Sequence, residues 1–250
     1  MGIETLSDDV LLEIFALCLN EDEEVDDEEI ELYPDDAWYV LVHVCQRWRY
    51  TVFASPHRLN LRLYCTRKRP VRMLGIWPAF PIVIWDTSCF ISVSDNIIAA
   101  LEHHDRVCEI RLTQFTISKS EQLVPLMQQS FQALTEFQLL SYEPAPALPD
   151  SFLGGSAPHL RFLSLESVSF PALPNLLMSA SHLVHLDLSY THSGFISSEM
   201  VTALSALTRL ESMRLIFNPP DSNLQNRAPP PQTPAVLPAL MELELQSTFS

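Results

Sequence analysis

Glycine is scarce in this chain, with five in 250 residues. A phosphate-cradling glycine loop is therefore not expected. The pair at Gly154-Gly155-Ser156 also lacks the strand–G-x-S-x-G–helix setting of a hydrolase nucleophile. Basic residues are few: 15 Lys and Arg stand against 31 Asp and Glu, a net charge of −16. Nucleic acid is excluded as a general partner, because a phosphate backbone needs a basic face. The five cysteines (Cys18, Cys45, Cys65, Cys89, Cys108) are odd in number and scattered through apolar contexts, and none forms a C-x-x-C pair. They read as reduced, buried thiols of a cytoplasmic or nuclear protein, with no metal site. Long apolar runs are missing too. The most apolar stretch, Val71 to Val93, is cut by Pro78, Pro81 and Asp86, short of the roughly 20 apolar residues of a membrane span. The start, Met1-Gly2-Ile3-Glu4, has no basic lead into an apolar run, and Leu6 stands where myristoylation requires Ser or Thr. No membrane partner is expected.

Catalytic constellations are equally thin. His103-His104-Asp105 sits at a helix end, where a cation suits the dipole. His182 and His185 are three apart, a spacing that shares a face only on a helix, and His185 belongs to a strand pattern. The basic Arg67-Lys68-Arg69 with Arg72 reads as a solvated connector or a small anion or import patch. Without a nucleophile, base and oxyanion set, no enzyme activity and no cofactor are expected.

What is present is hydrophobic residue, 47% of the chain, ample for a buried core. Charge is concentrated. Eleven acidic residues and no basic one lie between Glu21 and Asp36, and removing them leaves 20 acidic against 15 basic. Like-charge repulsion makes residues 20–36 an extended loop. It is either a solvated insertion or a lure for a basic partner. Helical spacing flanks it. Val10, Leu11, Ile14, Phe15 and Cys18 form one stripe over Asp8–Leu19, with Ser7 placed as the cap. A second helix is expected over Ala37–Ala54, capped by Asp36, with Trp38, Leu41, Val42, Val44, Cys45, Trp48 and Val52 as its stripe. Ser55-Pro56 ends it.

Leu6, Val10, Leu11, Glu13, Ile14 and Phe15, followed by Val44-Cys45-Gln46-Arg47-Trp48-Arg49 and then Ala54-Ser55-Pro56 with Leu59, resemble an F-box. Residues 1–58 are similar to this module in F-box proteins of mushroom-forming fungi. Two departures are Ser7, where the family has proline, and the acidic insertion. The resemblance implies binding to a Skp-type adaptor and, through it, a cullin scaffold in the cytoplasm or nucleus. It carries Leu6, Val10, Leu11, Ile14, Phe15, Val44, Cys45 and Trp48 as the set that faces the adaptor or fills the module core.

The remainder, 59–250, is periodic. Val107-x-x-Ile110-x-Leu112, Leu134-x-x-Phe137-x-Leu139, Leu160-x-x-Leu163-x-Leu165, Leu183-x-x-Leu186-x-Leu188, Leu210-x-x-Met213-x-Leu215 and Leu240-x-x-Leu243-x-Leu245 recur every 23 to 30 residues. This is close to the 20–29 residue period of leucine-rich repeats. Leu59-x-Leu61-x-Leu63 and Ile82-x-Ile84 supply earlier strands. The expected architecture is α/β: an N-terminal helical F-box followed by an irregular leucine-rich-repeat solenoid with one parallel strand per repeat. Helical returns are expected at Asp95–His104 (cap Ser94), Glu121–Phe131 and Ser198–Leu207. Returns with Pro144, Pro146 and Pro149, and with Pro171 and Pro174, should be looser. The position that commonly holds asparagine carries Phe115, Tyr142, Val168, Thr191, Asn218 and Thr248, so a regular asparagine ladder is not expected.

In a strand of period two, the leucines go inward and the residues between them go out. The middle outward row reads Arg111, Gln138, Ser164, Asp187, Arg214 and Glu244, with His185 in a flanking row. These residues are the candidate surface for an as yet unspecified target protein, on the ground of mixed charge with a few apolar groups. The prolines from Pro219 to Pro238 exclude an ordinary helix there and suit either a flexible insertion or a polyproline ligand. No return follows the last strand motif, so the final coil should expose apolar surface, as in a truncated solenoid or one whose end needs a partner. Two readings carry forward: a substrate receptor of a ubiquitin ligase, and a repeat scaffold that binds partners without the ligase.

Overall fold

The computed structural model describes residues 6–19, 37–65, 75, 78–86, 95–142, 147–190, 197–217 and 234–247. The acidic run, Asp36, Ser94, Cys89, the Arg67–Arg72 cluster, Pro144, Pro146, and the prolines from 219 to 231 lie outside them. The chain divides into two units, Met1–Leu63 and Tyr64–Ser250.

The first unit is helical. Helix α1 spans Asp8–Leu19. Ser7 starts it: its carbonyl accepts from Leu11 N at 3.0 Å and its Oγ from Val10 N at 3.4 Å. The expected second helix is broken in two, α2 at Ala37–Val44 and α3 at Gln46–Ala54. Cys45 causes the break. Its backbone is extended (φ −158°, ψ 169°), and its Sγ accepts from Trp48 N, capping α3. Leu11, Leu12, Phe15, Trp38, Val42 and Val52 are buried, and the Phe15 and Trp48 rings sit 4.7 Å apart. Burying each such side chain is worth about 1.5–3 kcal/mol. Arg47 and Arg58 tie α3 and the following turn to Asp8, Asp9 and Glu13 of α1. These pairs are exposed, so solvent screening leaves them little weight in stability.

The second unit is built on one open eight-stranded sheet whose strands follow chain order. They are β1 (Leu63–Cys65), β2 (Ile82–Asp86), β3 (Val107–Leu112), β4 (Glu136–Leu140), β5 (Phe162–Glu166), β6 (His185–Ser189), β7 (Ser212–Phe217) and β8 (Glu242–Ser247). Every pairing from β2 to β8 is parallel. The fold is α/β and solenoid-like. Leu59 and Leu61 are buried but precede β1, because turns at 56–60 delay the strand to Leu63. The inward row Ile110, Phe137, Leu163, Leu186 and Met213 is buried, as is Leu112, Leu139, Leu165, Leu188 and Leu215. Leu243 and Leu245 of β8 continue both rows and are more than half exposed.

Helices close the coils on the other side. Helix α4 spans Asp95–Leu101, with Ile97 and Leu101 buried. The return expected at Glu121–Phe131 begins earlier and ends sooner. Thr116 caps α5 (Ile117–Leu123) by accepting from Lys119 N, and Pro125, lacking an N–H, breaks the run before a 3₁₀ turn at Leu126–Gln128. The stretch with Pro171 and Pro174 is not loose. It forms α6 (Leu173–Ser179), because a proline in the first turn removes only an N–H that has no helical partner. Helix α7 spans Ser198–Ala206, with Ser197 as its cap.

Positions expected to lack asparagine are filled in two ways. Phe115 and Val168 are buried in the core, and Tyr142 is exposed. The neighbouring Ser141 supplies the polar contact: its buried Oγ donates to the Phe115 carbonyl at 2.7 Å. At a bend in a 3₁₀ turn (Phe152–Gly155), Gly154 has φ +68°, and a Cβ there would lie 2.9 Å from Ser130 Cα. Only glycine fits that approach. The cysteines are not uniformly buried. Cys65 is, Cys108 is half-buried, and Cys18 and Cys45 are exposed.

Candidate functional site

Two surfaces bear the residues singled out from the sequence, and each belongs to its own unit. On the helical unit the eight residues separate by environment. Leu11 and Phe15 are fully buried. Leu6, Ile14 and Trp48 are half-buried, while Val10, Val44 and Cys45 are exposed. Sequence reasoning missed Leu17, Val40 and Tyr50, all exposed apolar residues. Val10, Ile14 and Leu17 follow one another at helical spacing on α1, and Val40 and Val44 do so on α2. The periodic pattern hid this because it continues right around these short helices, with apolar residues both inside and out.

On the sheet unit, strand register places Arg111, Gln138, Ser164, Asp187, Arg214 and Glu244 in one row. Ser164 is buried; the others reach the outward surface to varying degrees. His185 lies in the adjacent row, beside Phe162 and Ser212, and is exposed. Arg111 anchors one end. Its Nε lies 2.6 Å from the buried Glu109, its Nη2 3.2 Å from Glu136, and its guanidinium stands 5.0 Å over the Trp85 ring. Trp85 Nε1 also donates to Glu109 at 2.9 Å. Trp85 pairs with Arg111 in register. Extending the row back from Ile82-x-Ile84 would have found it.

Arg214 anchors the other end, 3.0 Å from Glu244 and 3.8 Å from Asp187. Ser189 Oγ donates to Asp187 at 2.8 Å. Around this arginine the sheet face forms a cavity of about 280 Å³, bounded by Phe162, His185, Asp187, Ser212, Glu242 and Glu244. The Phe162 and His185 rings are 6.2 Å apart. Glu166, two residues along β5 from the Ser164 position, is held above the ordinary carboxylate range. Burial is the main cause and the Asp187 charge the second, while Arg214 opposes them.

Among the described residues no group of three or more His, Cys, Asp or Glu side chains could hold a metal ion. Within the same residues no helix is long and apolar enough to cross a membrane. His182 Nδ1 lies 3.0 Å from the Pro158 carbonyl, and its ring is 6.0 Å from that of His159, a contact between successive turns and not a ligand set. No family model, curated protein or solved structure matches this chain.

Proposed function

We propose that the chain is a substrate-recognition adaptor of a cullin-type ubiquitin ligase, acting in the cytoplasm or nucleus. The helical unit is an F-box that binds a Skp-type adaptor. The sheet unit is an irregular leucine-rich-repeat solenoid whose outward face binds the target protein. The observation that carries this reading is the apolar exposure on the helical unit. Val10, Leu17, Val40 and Val44 stay exposed beside a core already closed by Leu11, Phe15, Trp38, Val42 and Val52. Solvent-facing apolar residues on a unit this small favour a protein partner. The two outward arginine clusters on the sheet suit a polar protein interface.

Affinity capture of the tagged full chain, read for the Skp-type adaptor and cullin, tests the proposal. The adaptor should co-purify with the wild type and be lost with Leu17→Asp/Val44→Asp. A ligase-independent interaction scaffold is the second reading. Ser7 favours it: its role as cap of α1 explains a serine where an F-box has proline, without any adaptor contact. Capture of other proteins through the sheet, with no adaptor present, would establish the scaffold instead.

A further inference from the structure

We propose that the cavity over β5–β8 receives an extended basic segment of the target, with one lysine or arginine side chain seated between the Phe162 and His185 rings and the carboxylates of Asp187 and Glu242. This rests on reading the sheet as the target-binding face.

The sheet already contains one such arrangement, filled from within. At the β2–β4 end, Trp85 provides a ring, Glu109 and Glu136 provide carboxylates, and the chain's own Arg111 is the cation that joins all three. The β5–β8 end repeats the ring and the carboxylates. There the rings are Phe162 and His185, and the acids are Glu166, Asp187, Glu242 and Glu244. Its own cation, Arg214, is drawn to one side by Glu244 at 3.0 Å and stands 3.8 Å from Asp187. Neither Glu166 nor Glu242 has an ion-pair partner among the described residues.

Charge complementarity selects the occupant. Four carboxylates against one guanidinium leave this half of the face strongly negative, so an acidic segment or a nucleic acid is repelled. A cationic side chain gains from both elements of the site. The Phe162 ring face attracts it, and an unpaired carboxylate accepts a charge-assisted hydrogen bond from it. An extended backbone fits the shape, because alternate side chains then point down onto the face and away from it.

The test uses the full chain and a labelled peptide of alternating arginine and serine, read by fluorescence anisotropy. A citrulline–serine peptide keeps the shape without the charge, and a glutamate–serine peptide reverses it. Asp187→Asn/Glu242→Gln should weaken the arginine peptide at least about tenfold, the effect of losing a charge-assisted hydrogen bond. Phe162→Ala should also weaken it, and neither control peptide should bind. Neutralising Glu23, Glu24, Asp26 and Asp27 in the acidic run should change affinity less than about twofold. Thermal melts establish that each variant is folded. Equal binding of the citrulline peptide, or loss with the acidic-run variant and not with Asp187→Asn/Glu242→Gln, would overturn the proposal. Adaptor capture, measured in parallel, separates this inference from the ligase reading. Peptide binding at the cavity without adaptor capture supports the inference and removes the ligase. Adaptor capture without peptide binding does the reverse.

Discussion

Lys119 Nζ lies 2.9 Å from Asp86 Oδ2, and both side chains are almost wholly buried, at 1% and 3% exposed. The pair links the end of β2 to α5 across 33 residues of sequence. Taking two charges out of water is costly, and their mutual attraction offsets that cost only while both are present. Removing one partner, by Lys119→Met or Asp86→Leu, should therefore destabilise the chain by about 3–5 kcal/mol. The double variant Asp86→Leu/Lys119→Met should recover most of that loss. Urea denaturation of the four proteins measures it. Simple addition of the two single losses would show that the pair acts independently.

Gly154 should resist substitution. Its left-handed backbone alone costs an L-residue about 1–2 kcal/mol, and an added Cβ would press on the Ser130 backbone. Gly154→Ala should lower the thermal midpoint clearly. Gly75→Ala, where no atom of the described residues lies within 4 Å of the new Cβ, should fall within about 0.5 kcal/mol of wild type.

Glu166 predicts a pH-dependent difference. Its folded-state ionisation lies above the ordinary value of 4.5, so the native state holds that proton to higher pH than the unfolded chain does. Stability tied to this group is fully present below the ordinary value and is lost as pH rises through the folded one. Glu166→Gln removes the titration. The variant should melt above wild type at neutral pH and lose that advantage below pH 4.5. An advantage that persisted unchanged into acid would assign the effect to packing.

The helical unit should separate core from surface. Leu11 is fully buried, so Leu11→Ala should cost about 2–5 kcal/mol and lower adaptor capture by unfolding the unit. Val44 is 55% exposed. Val44→Asp should leave the melting midpoint nearly unchanged and still reduce capture. Circular dichroism melts alongside the pull-down distinguish the two.

Much of this architecture was legible from short-range patterns. Ser7 before an apolar stripe located α1, and the helical return expected at Ser198–Leu207 is where α7 formed. The spacing of inward leucines fixed the strand register row by row, so Asp187 and Arg214 could be placed together from sequence. What escaped depends on contacts across long separations or on unusual local chemistry. A thiol seldom caps a helix, so nothing in the stripe from Trp38 to Val52 announced the break at Cys45. Pro174 looked like a breaker and proved a first-turn residue, a distinction that rests on where the helix starts. The Lys119–Asp86 pair gave no signal at all, because an isolated lysine in a return segment reads as solvated.

Whether the helical unit engages a Skp-type adaptor is the claim on which the account turns. Purified full chain and adaptor, titrated by calorimetry, answer it most directly. The account predicts a saturable one-to-one complex that is abolished by Leu17→Asp/Val44→Asp and unaffected by Asp187→Asn/Glu242→Gln. Absence of binding by the folded wild-type chain would contradict it and leave the sheet as a scaffold without a ligase.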